Sequence, residues 1–297
     1  MNKCFSQWQI DRYISLLSDA NKHVRADAAE RIGSVADKQV VNPLARALDD
    51  VYEPVKQHAC ISLGIILYQN RFEMVTEFLL LPNNEEIVKT ILVKSKPNQI
   101  NKNKAGNLVL ITAEEREAII EKILPLLVAP NTQTRRKAAL ALAKLGTKSA
   151  IPHLLEGLAD SNESVLEACI FALGAIGYNE TSYATEIIHS LIPLLKSTSV
   201  QVRIKTISAI GKNVNEKLGF ELLTEMLDDE DIYLQFETIS SLGFVGDRRA
   251  LPILEQISRS DSRKDDYGNT IYSAAQEAIA EIKWRNQHLS FLSLRKQ

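Results

Sequence analysis

The sequence predicts an all-α fold in which one helical unit is repeated along the chain. The stretch "VLEACIFALGAIG" at residues 165–177 has a close counterpart in "YLQFETISSLGFVG" at residues 233–246. In both, apolar residues recur at the spacing of one helical face rather than in the alternation of a strand. Aromatic residues make up 6% of the chain, and its 12 glycines and 9 prolines are few for a β-sandwich with many turns.

Aligning the two stretches reveals a repeat of about 31 residues. We number each repeated helix from the first residue of its apolar pattern, position 0. Positions +4 and +5 are small or apolar, +8 is aliphatic, and +9 and +12 are often glycine. Position 0 falls at Val24, Val55, Ile87, Thr134, Val165, Val202, Leu234 and Ile271, with Ile87 and Ile271 fitting least well. The pattern predicts about eight units, with extra residues near 96–111, 178–184 and 260–268.

Each repeated helix is preceded by another amphipathic helix, so the unit is a helical hairpin. These first helices are predicted at "VVNPLARAL", Glu115–Leu127, "AIPHLLEGL", "IIHSLIPLL", "GFELLTEML" and "ALPILEQI". Pro43, Pro152 and Pro252 stand near their starts, where a missing N–H costs little. Pro125 and Pro193 fall nearer the ends of theirs and are expected to kink them. The glycines at +9 to +12 are expected to end the repeated helices in left-handed caps.

Charged residues recur at two positions of the repeat. Aspartate stands at −5 in Asp19, Asp50, Asp160, Asp229 and Asp266, and a basic residue stands at +1 in Arg25, Lys56, Arg135 and Arg203. A carboxylate at −5 is expected to cap the repeated helix and to pair with a basic residue of its own or the next unit. We interpret this pattern as a structural ladder between repeats.

The pattern D-x-x-x-x-V-R-x-x-A-A-x-x-L-G-x-x-G, followed by A-I-P-x-L, resembles HEAT repeats over about residues 8–283. It is most similar to the short bacterial HEAT-like repeats first named for phycobilisome bilin lyases. The resemblance implies a right-handed α-solenoid, or α-α superhelix, of about eight HEAT-like hairpins. Its first helices would be convex and its repeated helices would line a concave, protein-binding surface. We expect a single solenoid over 1–297, with an insertion near 96–111 and a C-terminal capping tail at 284–297.

The bulk composition is that of an ordinary soluble protein, 45% hydrophobic and 24% charged. The formal net charge of −2 gives no bulk attraction to nucleic acid or to an anionic membrane. No apolar run approaches the roughly 20 residues that span a bilayer, and the N-terminal "MNKCFSQWQIDRYISLLSD" lacks the apolar core of a signal peptide. We therefore expect a cytoplasmic protein that binds neither nucleic acid nor membrane.

No pattern in the sequence identifies an enzyme. Deoxyhypusine hydroxylases resemble this fold but hold two irons with His-Glu pairs, and none of the five histidines here is followed by glutamate. HEAT-like DNA glycosylases need a basic concave face, whereas the repeated helices carry several glutamates beside "RRK" at 135–137. Cys4, Cys60 and Cys169 are too scattered for a disulfide framework or a zinc site, and the latter two occupy positions where alanine is usual. No metal or other cofactor is expected.

Two regions are candidates for a binding site. Positions +2, +6 and +10 should point partly away from the core, and the apolar residues there are Leu140, Phe171, Ile204, Phe236 and Phe244. Such a strip is typical of a binding groove, although the same residues could pack between repeats. The second region is a basic insertion at 89–104 with five lysines and no acid, including Lys94, Lys96, Lys102 and Lys104. It would suit an acidic partner, although a solvated, flexible loop with no binding role would have the same composition.

We therefore interpret the chain as a non-enzymatic scaffold or adaptor that binds a protein partner through a concave groove. The alternative is a subunit of a bilin-lyase-type chromophore carrier that acts on phycobiliproteins. Only the type of repeat supports the alternative. The two interpretations differ in whether the protein binds a free bilin.

Overall fold

The structure is a computed structural model of the chain, and it describes residues 5–35, 37–79, 112–213, 218–260 and 263–294. Within these ranges it contains fourteen α-helices and no strand, apart from one isolated antiparallel bridge between Lys264 and Thr270. The predicted all-α class is therefore confirmed. The expected unit at Ile87 and the insertion near 96–111 lie outside the described residues.

The helices follow one another as hairpins. They are α1 (Gln7–Leu16), α2 (Lys22–Ile32), α3 (Val41–Ala47), α4 (Glu53–Leu79), α5 (Ala113–Ile123), α6 (Thr132–Leu145), α7 (Ile151–Glu156), α8 (Glu163–Asn179), α9 (Ala184–Leu191), α10 (Val200–Lys212), α11 (Leu218–Glu225), α12 (Ile232–Val245), α13 (Ala250–Ser260) and α14 (Ile271–Leu294). Odd-numbered helices are the first, or A, helices of the hairpins, and even-numbered ones are the repeated, or B, helices. Seven of the hairpins expected from the sequence thus lie within the described ranges.

The chain divides into two compact units, residues 1–153 and 154–297. In the N-terminal unit the B helices α2, α4 and α6 pack side by side, and A helices cover them on one side. In the C-terminal unit α8, α10, α12 and α14 do the same. Each unit is thus a stack of helical hairpins, the α-solenoid arrangement that the sequence predicts. The single array over 1–297 stays a prediction, and most of the expected tail, 284–294, continues helix α14.

The core of each stack follows the repeat. Positions 0, +4 and +8 are buried in all four of the B helices that begin near Val55, Val165, Val202 and Leu234. Two of these buried positions are occupied by threonine, Thr206 and Thr238. Each hydroxyl donates a hydrogen bond to a carbonyl one turn earlier in its own helix, at 2.7 and 2.8 Å, so no buried hydroxyl of the pair lacks a partner. The apolar face predicted from spacing is therefore the face that packs against the A helices.

Five of the B helices begin at an N-cap residue at position −3, two residues after the predicted position −5. The N-cap side chains at −3 accept backbone N–H groups of the first turn, and they are Asn21, Asn131, Asn162, Ser199 and Asp231. Four of the five −5 aspartates, Asp19, Asp50, Asp160 and Asp229, instead accept the N–H of the −3 residue, as Asp160 does from Asn162 at 2.8 Å. The expectation that −5 carboxylates cap the helix is wrong, because they close the turn before it.

An arginine at +1 ties three of the B helices to the ends of their A helices. Arg25, Arg135 and Arg203 each donate to the carbonyl at −5, at 2.8 to 2.9 Å. Arg25 also forms a two-point ion pair with Asp50 of the next hairpin, with Nε–Oδ2 at 2.6 Å. This pair is a rung of the predicted ladder, and its hydrogen bonds lower the pKa of Asp50.

Four of the A helices change from an α-helix to a 3₁₀ turn near their ends. The α-helix gives way to a 3₁₀ turn at 124–128, which contains Pro125, and at 192–196, which contains Pro193. The same change occurs without proline at Gly157–Ala159 and Met226–Asp228. Proline is therefore compatible with this ending but is not its cause, and the expected proline kinks are 3₁₀ turns that A helices with and without proline share.

Glycine serves two purposes in the B helices. Gly146 and Gly246 end α6 and α12 in the left-handed conformation, with φ of 62° and 76°, as expected. The glycines at +9 do not end their helices with such caps. A Cβ added at Gly64, Gly174 or Gly243 would lie within about 3 Å of a backbone Cα in the adjacent B helix. Glycine at +9 therefore permits close packing of neighbouring B helices.

Candidate functional site

The B helices leave one side uncovered by A helices. At 100° per residue, positions +2, +3, +6 and +10 fall within an arc of about 100° opposite the buried positions. We call this arc the open face. Its described residues are half-buried or exposed, except for the buried Ala168 at +3 of α8, whereas +7 and +9 face the neighbouring B helices. A ligand that binds the side of either stack not covered by A helices would meet these positions first.

The structure places the predicted strip residues on the open face. Phe171 is 43% exposed, whereas Ile204, Phe236 and Phe244 are half-buried. These four side chains lie on the successive helices α8, α10 and α12 of the C-terminal unit. Leu140, also half-buried, is on the open face of α6 in the N-terminal unit. Lys94, Lys96, Lys102 and Lys104 of the basic insertion lie outside the described residues.

Aromatic rings in the C-terminal unit make contacts that link several helices. The rings of Tyr178 and Phe244 lie 5.7 Å apart at an interplanar angle of 51°. Arg285 stacks its guanidinium 4.8 Å above the Phe244 ring, and Lys212 places its ammonium 5.2 Å from the Phe171 ring. Arg285 is in turn paired with Glu281 at 2.7 Å. We refer to Phe171, Tyr178, Ile204, Phe236 and Phe244 as the apolar strip.

Tyr178 was not singled out from the sequence, although the repeat contains a signal for it. Aromatic residues occupy +13 in three units, as Tyr68, Tyr178 and Trp284, and are 43%, 56% and 54% exposed. Position +13 falls at 220°, within the open face, but in the units of Tyr68 and Tyr178 it lies beyond glycines that suggest a helix end. Helices α4, α8 and α14 all continue past that point. Because the sequence pattern predicted helix ends that were too early, it did not assign these three residues to the open face.

The two cysteines that the structure describes are buried. Burial raises the pKa of both Cys60 and Cys169 to about 12, which keeps the thiols protonated. Among the described residues, no group of three or more His, Cys, Asp and Glu side chains is placed to hold a metal ion. Nor does any helix in those ranges combine the length and apolarity needed to cross a bilayer. The open face is accordingly the candidate site.

Comparison with known proteins gives the family and the fold. The family described as HEAT repeats matches residues 10–93, 120–185 and 188–275. Protein YibA of Escherichia coli, strains K12 and O157:H7, is 26% identical over 125 residues, and the match spans only 42% of this chain and 42% of YibA.

A solved structure, the complex of CpcE and CpcF of phycocyanin lyase from Nostoc sp. PCC7120, is similar with a TM-score of 0.51. The similarity covers 94% of this chain and 97% of the solved chain at 20% identity. At that identity the likeness shows a shared fold. The family match agrees with the repeated hairpins, the buried 0, +4 and +8 positions and the close-packed B helices. The chain belongs to the HEAT-repeat family.

Proposed function

We propose that the protein is a non-enzymatic interaction scaffold that binds a protein partner through the apolar strip. The observation that carries this proposal is the exposure of Phe171 and Tyr178 on the open face. Exposed apolar area costs roughly 25 cal/mol for each Å² that remains in contact with water. Covering two aromatic side chains would therefore favour binding, as in the aromatic hot spots of protein interfaces.

The geometry of the strip also suits a partner of mixed character. The Tyr178–Phe244 contact connects α8 with α12, which helps to hold the rings in place before binding. Lys212 and Arg285 lie over rings of the strip and present charge beside apolar surface. Glu237, on the open face of α12, adds the opposite charge. A polypeptide surface with apolar and charged side chains would match this arrangement better than a uniformly charged ligand would.

The test compares the wild-type chain with the Phe171→Ser/Tyr178→Ser double variant. Each is used to capture proteins from the native host, and a captured protein is purified and titrated against both chains. We expect the double variant to bind the partner more weakly by about 2 kcal/mol or more. Tyr267→Ser is the matched control, because Tyr267 is 85% exposed but lies in the turn before α14. Equal affinities of wild type and double variant would contradict the proposal.

The alternative, a subunit of a bilin-lyase-type chromophore carrier, is suggested by the shared fold with the CpcE–CpcF complex. A carrier must bind a linear tetrapyrrole, and binding would shift the absorbance of that chromophore. Titration of the chain into a free bilin therefore separates the two functions. A saturable spectral shift would favour the carrier, whereas an unchanged spectrum together with partner capture would favour the scaffold.

A further inference from the structure

The open face of α6 in the N-terminal unit is basic. Helix α6, Thr132–Leu145, contains no acidic residue. Arg136, Lys137 and Lys144 occupy +2, +3 and +10, so all three lie within the open arc. Arg136 and Lys137 are half-buried and Lys144 is exposed. On a chain with a formal net charge of −2, this is a local excess of positive charge.

The charges of these three cations are not neutralised by any side chain that the structure describes. None of them forms an ion pair with any residue that the structure describes. On the adjacent helix α4, Glu53 is held by Lys56 at 2.8 Å. On α2, Glu30 faces His58, with the closest N–O distance at 3.9 Å. With respect to the described side chains, the cations are therefore available to an incoming anionic group.

Apolar side chains lie beside the cations. A Cβ added at Gly64 of α4 would lie 3.1 Å from the Cα of Ala141, so α4 and α6 approach closely. Side chains on the open sides of two such helices lie next to one another. Ile61 and Ile65 of α4 and Leu140 of α6 occupy these positions and are half-buried. By helical angle, Lys137 and Lys144 lie on the α4 side of Leu140 and Arg136 lies on its other side. The surface therefore combines an apolar centre, Leu140 with the α4 isoleucines, with cations on both sides of Leu140.

We propose that this surface, formed by Ile61, Ile65, Arg136, Lys137, Leu140 and Lys144, binds an acidic amphipathic segment of a partner protein. Carboxylates of the segment would pair with the cations, and its apolar side chains would cover Leu140 and the α4 isoleucines. A nucleic acid is a poorer match, since its phosphate backbone would leave the apolar centre uncovered. The inference rests on the proposed scaffold function but uses a different surface from the apolar strip.

The experiment titrates the full chain with a fluorescein-labelled peptide that carries Glu and Leu at helical spacing. Three other probes are the same peptide with Lys for Glu, the same peptide with Ser for Leu, and an oligo-dT strand. We expect the Glu/Leu peptide to bind best and to bind less tightly as salt increases. The Arg136→Glu/Lys144→Glu variant should lose about tenfold or more in affinity for it. Leu140→Ser should lose several-fold.

The matched control is Lys148→Glu/Lys196→Glu, which reverses two exposed lysines outside the surface and should bind as wild type does. If circular dichroism shows the Arg136→Glu/Lys144→Glu chain to be unfolded, Arg136→Gln/Lys144→Gln replaces it, with a smaller loss expected. Equal binding by the variant and the control, equal binding of the Lys peptide, or tighter binding of oligo-dT would overturn the proposal. If the acidic peptide does not bind while Phe171→Ser/Tyr178→Ser still weakens binding of the native partner, the acidic-segment proposal is wrong and the scaffold proposal stands.

Discussion

Single glycines determine how closely the B helices pack. Gly33, Gly64, Gly174, Gly211 and Gly243 all stand at +9, and each meets the residue at +7 of the next B helix. Those +7 residues are Ser62, Ala141, Ala209, Ser241 and Ala278. At Ser62 the short distance also allows a hydrogen bond between helices, because the Ser62 hydroxyl donates to the Ala29 carbonyl at 2.8 Å. The contact is therefore a repeated pairing of two small residues, which brings one helix backbone against the next.

Gly243→Val tests this pairing. A Cβ at position 243 would lie 2.9 Å from both the Cα and the Cβ of Ala278, so α12 and α14 must separate to admit a side chain. We expect the free energy of unfolding to fall by about 1–3 kcal/mol, measured by chemical denaturation. Ser240→Val on the same helix is exposed and should change stability by less than about 0.5 kcal/mol. Equal stability of the two variants would show that the pairing is loose.

The Arg25–Asp50 pair predicts a pH dependence. Hydrogen bonds from Arg25 are the main cause of the lowered pKa of Asp50. A depressed carboxyl pKa stabilises the fold above the unfolded value of about 3.9, and this contribution is lost as the pH falls through the folded value. Asp50→Asn should therefore lower the melting temperature at pH 7, and its deficit relative to wild type should shrink below about pH 4.

Asp49→Asn is the control for this measurement. Asp49 pairs with Lys122, but its side chain is 70% exposed, so its removal should hardly alter the melting temperature at any pH. If the melting-temperature deficit of Asp50→Asn stayed constant from pH 7 to below about pH 4, the charge of the Asp50 carboxylate would not contribute to the stability of the Arg25–Asp50 pair.

At the scale of helices, spacing alone predicted most of what the structure contains. The 0, +4 and +8 pattern places the buried face correctly because burial follows directly from helical geometry. Helix ends were predicted less well. Gly64 and Gly174 lie inside α4 and α8, since a glycine can serve close packing as readily as a left-handed cap. These two roles are indistinguishable without knowing the neighbouring helix, and Tyr68 and Tyr178 at +13 were missed as a result.

The apolar strip gives a prediction that distinguishes an open face from a core. Phe171→Ser/Phe236→Ser should reduce the free energy of unfolding by less than about 1 kcal/mol, because both side chains are partly in solvent. Leu173→Ala, on the buried side of α8, should cost about 2–5 kcal/mol. Thermal and chemical unfolding of the three chains decides the matter. A phenylalanine double variant as unstable as Leu173→Ala would place the strip in the packing between repeats.

At the scale of the whole molecule, the chain gains stability mainly from contacts between neighbouring hairpins. In each unit the B helices pack on their immediate neighbours in the stack, as α10 does on α8 and α12. Such an array is approximately one-dimensional, and its stability is a sum of local terms. The repeat therefore lets one surface change while the packing that supports it is retained. The basic surface of α6 and the apolar strip of the C-terminal unit illustrate this separation.

One-dimensional stability predicts that a core defect acts locally. Leu63 and Leu242 occupy the same position, +8, in α4 and α12, and both are fully buried. Leu63→Ala should accelerate amide hydrogen exchange in α2–α6 and leave α12 and α14 close to wild type, whereas Leu242→Ala should do the reverse. Each variant is thus the control for the other, since the same methyl groups are removed from equivalent sites. Exchange is measured by mass spectrometry on peptides from both units. Faster exchange everywhere in both variants would mean that the two units open together, and stability would then be a property of the entire chain rather than a sum of neighbouring contacts.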